Sequence, residues 1–335
     1  MIGRIIRVSE QNPRLVISIF YPSSGGSRLK GIDLYAPCQT EVADIFKEMG
    51  VDLENLNVID KLSIDDKPNT SKGIWPVLIL SPGFGVERDM YLGIISNLVP
   101  KGYIVVTIGT PYESIFTVYP DGSLIKQEKE MAELKSSDYS SWHQLLDSRS
   151  RSITEVMEYL DTLNQSAPEL AGLFDLKNVA AVGHSLGGAA VLEAATLVKR
   201  IKAVILLDPS FHLIRVDEIP SSVPVLLLRQ EASSYEAMAS VMNEEIARDY
   251  IDGQRNAYNI LTNSHFYRVK GAQHMSFSDI PLYYGDLHAE SVHTATVEAM
   301  TAFMEAVFQS RHRLSAMPLH SNDTVVQINS DGDPI

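Results

Sequence analysis

Short apolar runs alternate along this chain with longer stretches whose apolar residues recur at helical spacing. Residues 14–21 alternate and are rich in β-formers, and the Pro22-Ser-Ser-Gly-Gly that follows reads as a turn. Compact apolar runs at 75–80, 103–108, 179–182, 203–207, 223–228 and 265–269 have the length of buried strands. Between these runs the period changes. Helices are predicted near 41–49, 88–99, 186–200, 235–249 and 289–309, the last with Val297, Met300, Met304, Val307 and Phe308 on one face. Ile153, Val156, Met157, Leu160 and Leu163 mark a further helix, with Ser152 and Glu155 spaced as a capping box near its start. Strands apolar throughout, alternating with helices, predict an α/β protein with a mostly parallel central sheet and helices on both faces. No internal repeat and no second core is evident, so residues 1–314 read as a single domain. Two stretches break the rhythm. Residues 110–147 are polar and read equally well as a lid or binding loop and as a solvated connection. Residues 315–335 are acidic, contain Pro and Gly, and read as a disordered tail.

Composition changes the picture mainly by exclusion. The chain has 335 residues, 45% apolar and 21% charged, as an ordinary globular protein does. Its 28 Lys and Arg against 42 Asp and Glu leave a net charge of −14, a poor match to nucleic acid or an anionic membrane surface. Cys38 is the only cysteine, so neither an internal disulfide nor a Cys/His zinc spacing is available. The N-terminus lacks a sustained apolar run of the signal-peptide kind, and no run approaches the 18 apolar residues of a membrane span. A cytoplasmic location and no transmembrane segment are therefore the expectations. Asn69, Asn164 and Asn322 begin glycosylation triplets, a pattern short enough to arise by chance.

The chemistry concentrates at residues 178–200. An apolar strand at 179–182 runs into Gly183-His-Ser-Leu-Gly187 and then into an Ala/Leu-rich helix, with Ser185 at the apex. The bare pentapeptide arises by chance in roughly one chain in ten of this length, so the flanking strand and helix carry the reading. In such a nucleophile elbow a strained turn lifts the serine hydroxyl clear of the sheet. Gly183 and Gly187 suit the close passage of helix over strand, and the helix from Leu186 aims free N–H groups at a developing oxyanion. The bland reading is a glycine-rich turn with a helix-capping serine.

A serine hydroxyl needs a base, and the base an orienting carboxylate, which follow the serine in the order acid, then histidine, at strand ends. Among nine histidines, His274 alone sits in the loop directly after the last strand. His184 is locked beside the serine and points elsewhere, and His143 precedes the serine. For the acid, Asp208 and Glu231 both follow suitable strands, and position does not choose between them. One oxyanion donor is expected to be the N–H of Leu186, and the other to come from the loop Gly83-Phe84-Gly85.

With these residues in place the chain resembles the platelet-activating-factor acetylhydrolase family of the α/β-hydrolase superfamily. The matching stretches are Phe20-Tyr-Pro-Ser23, Pro76 to Gly85, Lys101-Gly-Tyr-Ile-Val-Val106, Val182-Gly-His-Ser-Leu-Gly-Gly-Ala189, Leu207-Asp208, and Gly271-Ala-Gln-His-Met-Ser-Phe-Ser-Asp279. The resemblance implies an α/β-hydrolase fold, with Ser185 as nucleophile, Asp208 as acid and His274 as base. It implies oxyanion donors at Phe84 and Leu186, and no cofactor or metal. It implies hydrolysis of a short or oxidised acyl group at the sn-2 position of a phospholipid; the substrate is expected to be a small ester or phospholipid. The family carries histidine where Pro82 stands here. The alternatives are a general carboxylesterase, a polyester or dienelactone-hydrolase-like enzyme, and a catalytically silent binding module on the same scaffold.

Overall fold

The computed structural model describes residues 2–23, 25, 31–58, 62–64, 68–69, 73–215, 223–309 and 323–335. Its strands are β1 (Ile2–Val8), β2 (Val16–Pro22), β3 (Leu62–Ile64), β4 (Trp75–Ser81), β5 (Ile104–Ile108), β6 (Phe116–Val118), β7 (Leu124–Lys126), β8 (Phe174–His184), β9 (Ile201–Leu207), β10 (Val225–Arg229), β11 (Ser264–Val269) and β12 (Val325–Gln327). Its helices are α1 (Gln39–Glu48), α2 (Leu92–Leu98), α3 (Lys129–Ala132), α4 (Tyr139–Ser166), α5 (Leu186–Leu197), α6 (Tyr235–Ala239), α7 (Glu244–Ile260), α8 (Ile280–Tyr283) and α9 (His288–Gln309).

A 10-stranded sheet runs in the order β12-β11-β10-β9-β8-β4-β5-β2-β1-β3. From β11 to β5 every neighbouring pair is parallel. The β1–β2 pair joins antiparallel to β5 on one side, and β12 joins antiparallel to β11 on the other. The parallel strands are apolar along their central residues because both faces are covered there. Val77, Ile79, Val106, Ala181 and Val204 pack with α4 and α5, while Leu78, Leu80, Val105, Val182 and Ile205 pack with α2 and α9. Each fully buried side chain of this size stabilises the fold by about 1.5–3 kcal/mol relative to exposure.

The chain lays β5 on one side of β4 and then returns through α4 to lay β8 on the other. This reversal opens a crevice at the carboxyl ends of β4 and β8, where open α/β sheets place their ligands.

Three expectations need correction. The helix after the excursion begins at Tyr139 with Asp138 as its cap, accepting from Ser141 N–H at 3.2 Å. Ser152 lies inside that helix and donates to Ser148 O at 3.1 Å, so it caps nothing. The excursion holds the β6–β7 hairpin and α3 besides the start of α4. The last segment, read as a loose tail, enters the sheet as β12, with Val325 and Ile328 buried; residues 315–322 lie outside the described residues. A strand was also unforeseen at Ile2–Val8. Asn164 uses both ends of its side-chain amide on the Phe174 backbone, while Asn322 lies outside the described residues.

Candidate active site

Ser185 joins β8 to α5 with φ 54° and ψ −122°, a conformation that costs a non-glycine residue about 1–3 kcal/mol. Backbone hydrogen bonds on both sides over-determine it. Its N–H donates to Leu207 O at 3.1 Å, and its carbonyl accepts from Gly188 N–H at 2.9 Å and Ser210 N–H at 3.0 Å. A methyl group on Gly183 would lie on the Gly187 carbonyl, and one on Gly187 on the Ser81 carbonyl, so both positions require glycine.

Asp208 follows β9, and His274 opens a short 3-10 turn, His274–Phe277, after β11. His274 Nδ1 lies 2.6 Å from Asp208 Oδ2 and His274 Nε2 lies 3.0 Å from Ser185 Oγ. A carboxylate only accepts, so Nδ1 carries the proton and Nε2 is left to accept from the serine hydroxyl. These sequence-selected residues come from the ends of β8, β9 and β11 and meet in one hydrogen-bonded line. Glu231 does not join them: its carboxylate accepts from Gly271 N–H at 2.8 Å and braces the base of the His274 loop.

Asp208 is fully buried, and its other oxygen accepts from Arg229 Nε at 2.7 Å and Gln230 N–H at 3.2 Å. Burial alone would raise this carboxyl, but the Arg229 guanidinium and the hydrogen bonds from His274 and Arg229 outweigh it and hold the group well below the usual carboxylate range. Arg229 is itself fixed by Gln254 Oε1, by Met238 Sδ at 3.4 Å and by the ring of Phe211, 5.3 Å away.

The loop after β4 supplies the facing wall. Pro82 O accepts from Arg149, Gly83 N–H donates to Tyr91 Oη at 2.8 Å, and Gly85 O accepts from Ile115 N–H at 3.0 Å. The Phe84 ring stacks edge-on against Trp142, 4.8 Å between centroids. No acceptor among the described residues takes the N–H of Phe84 or of Leu186. Glu87, Arg88 and Asp89 follow and are sealed inside. Arg88 pairs with Glu87 at 2.9 Å, and Asp89 receives Arg4 at 2.5 Å with Ser18 and Thr107 hydroxyls at 2.9 Å.

His184 ties the oxyanion loop to the base loop. Its Nε2 lies 2.9 Å from His274 O and its Nδ1 lies 3.0 Å from Tyr91 Oη. Burial, helped by nearby His274, holds it down to about 3, so it is neutral. The carbonyl fixes the proton on Nε2, and the chain of donors then reads Gly83 N–H to Tyr91, Tyr91 O–H to His184, and His184 to His274 O. Asp279 completes the brace by accepting the amides of Leu92 at 2.5 Å and Gly93 at 2.9 Å at the start of α2.

Sequence reasoning missed Tyr91, Arg229 and Gln254, and gave His184 no task. A lone arginine directly ending the buried strand 225–229 was the available signal for Arg229; Tyr91 and Gln254 carried none. A cavity of about 460 Å³ adjoins the oxyanion loop through Ser81 and Arg149, with Arg14, Tyr112 and Arg151 in its wall, but none of Ser185, Asp208 and His274 lines it. Among the described residues no group of His, Cys, Asp and Glu could hold a metal ion, and no helix is long and apolar enough to cross a membrane.

The strand order, the switch point and the strained strand–turn–helix define an α/β-hydrolase. A ferulic acid esterase from Streptomyces cinnamoneus shares the fold, with TM-score 0.73 at 19% identity over 98% of this chain and 96% of that one. The model for platelet-activating factor acetylhydrolase, isoform II, matches residues 10–310, and the chain belongs to that family. Platelet-activating factor acetylhydrolase of Gallus gallus is 23% identical over 243 residues, covering 64% of this chain and 54% of that protein. The protein of the same name from Cavia porcellus is 24% identical over 152 residues, covering 40% and 35%. The chain thus spans about half, or less, of the curated relatives it matches.

Proposed function

We propose that this chain is a carboxylic ester hydrolase acting through Ser185, His274 and Asp208 on short-acyl or lipid-like esters. One observation carries the reading: Ser185 Oγ, His274 and Asp208 form a hydrogen-bonded line at 3.0 and 2.6 Å, on a strained elbow beside two unemployed N–H groups. Ser185 Oγ attacks the ester carbonyl while His274 Nε2 takes its proton. The oxyanion accepts from Phe84 and Leu186 N–H, donors of a kind worth about 100- to 1000-fold in rate each. His274 returns the proton to the departing alcohol, leaving an acyl-serine. Water, deprotonated by the same imidazole, then releases the acid and restores Ser185. Asp208 holds the ring in one tautomer and stabilises its charged form. Family membership favours an acetyl or other short acyl group on a phospholipid.

The test is a p-nitrophenyl ester series from acetate to palmitate on wild type and Ser185→Ala. Ser185→Ala is expected to lose on the order of 10⁴- to 10⁶-fold in kcat. Activity peaking at the shortest acyl groups supports the acetylhydrolase-like reading; a peak at long chains makes the enzyme a lipase of broader groove. An equally active Ser185→Ala removes the assignment.

A further inference from the structure

The family match ends at residue 310, yet the segment beyond it reaches the buried side of the site. Arg229, which holds Asp208, is fully buried, and so is Gln254. An amide between a guanidinium and a second polar group must turn its oxygen to the cation, which leaves its NH₂ in need of an acceptor. Gln254 Oε1 takes Arg229 NH1, and Gln254 Nε2 donates to the carbonyl of Ser330 at 3.0 Å. Tail backbone therefore closes a line that runs Ser330, Gln254, Arg229, Asp208, His274.

The tail is seated firmly enough to do this. β12 pairs with β11, Ile328 N–H donates to Phe266 O at 3.0 Å, and Ser233 Oγ donates to Gly332 O at 2.7 Å. Arg255 pairs with Asp331 at 2.6 Å. Gly332 has φ +85°, and a side chain there would lie on the Ser233 carbonyl, so only glycine allows this fit.

We propose that the C-terminal segment 323–335 is a positioning element of the active site, its Ser330 carbonyl fixing Gln254 and, through Arg229, the carboxylate of Asp208. This rests on the reading of Ser185, His274 and Asp208 given above. When the segment undocks, the Gln254 amide loses its acceptor, Arg229 loses a fixed partner, and Asp208 no longer holds His274 in line. Chemistry suffers and ester binding does not, because the segment bears on the acid, through Gln254 and Arg229, rather than on the oxyanion loop.

The experiment compares full-length wild type, Gly332→Val, Gln254→Leu and the double variant, with Ser185→Ala as control. It reads kcat and KM on p-nitrophenyl acetate, and amide hydrogen exchange over 325–328. Expected are faster exchange in Gly332→Val, kcat lower by about 10- to 100-fold, as small misplacements of catalytic groups produce, and KM within about threefold. Gln254→Leu should match that loss and the double variant should not deepen it, because both break one line. Faster exchange with unchanged kcat overturns the proposal, as does a double variant whose losses multiply. Should the variants not fold, mild urea on the wild type decides. Activity lost in step with tail exchange and before global unfolding supports the proposal, and activity kept until global unfolding overturns it. An active Ser185→Ala fails the reading of the site itself, whatever the tail does.

Discussion

Asp208 and Glu87 are both buried carboxylates touching an arginine, yet their surroundings drive them in opposite directions. Asp208 meets an excess of donors: Arg229 and Gln230 on one oxygen and His274 on the other. It stays ionised far into acid, and the stability it contributes is present above its ordinary value of 3.8 and is lost as pH falls below it. Glu87 shares Arg88 and Arg4 with a second carboxylate, Asp89. Burial first, and then Asp89 against the pull of Arg88, pushes it up to about 7. One cluster gives an ionised carboxylate whose second oxygen holds the His274 Nδ1–H in place; the other seats the loop 82–89 and has no oxygen to spare. A buried carboxylate is thus made available for chemistry by the number of donors around it, not by its burial.

The sharpest way to break this comparison is Asp208→Asn, expected to lower kcat about 10⁴-fold by favouring the wrong tautomer of His274. Glu231→Gln keeps an acceptor for Gly271 N–H and should stay within about threefold; the reverse pattern in esterase assays would make Glu231 the acid. Asp89→Asn should instead act on folding, costing about 3–5 kcal/mol because it strands Arg4, with kcat of the folded protein little changed. Urea unfolding beside kcat separates those outcomes. Tyr91→Phe removes both the acceptor of Gly83 N–H and the donor to His184, and should lower kcat about tenfold, KM being the control. The smallest effect is on pH dependence. The folded state keeps the Glu87 proton to about 7 while the unfolded chain releases it near 4.5, so this group favours the folded state in acid and loses that contribution as pH rises through the window. Glu87→Gln should flatten that part of the stability profile, measured by denaturant unfolding across the range.

What the sequence made legible was whatever is written locally. The elbow at Ser185, the strands that end at Asp208 and His274, and the loop at Phe84 each declare themselves within about ten residues. The choice between Asp208 and Glu231 did not, and needed the family resemblance, because both end strands and only their cross-chain partners differ. Gln254 escaped for the same reason: it meets the Ser330 carbonyl 76 residues away. The tail misled because its acidic composition hides Val325 and Ile328, two buried residues that are enough to dock it. The start of α4 was missed because Trp142, Leu145 and Leu146 are spread among polar residues, of which Arg149 and Ser150 are themselves buried and blur the helical stripe.

The switch point also has a kinetic consequence. Phe84, Ser185, Asp208 and His274 stand at the ends of β4, β8, β9 and β11, strands spread between residues 75 and 269 that meet only in the finished sheet. Pairings of such long range form slowly, after local helices have already appeared. A partly folded chain, however helical, holds no complete constellation and stays inert toward esters. Recovery of activity after dilution from denaturant therefore marks the final assembly of the sheet, and should lag behind the return of helical circular dichroism.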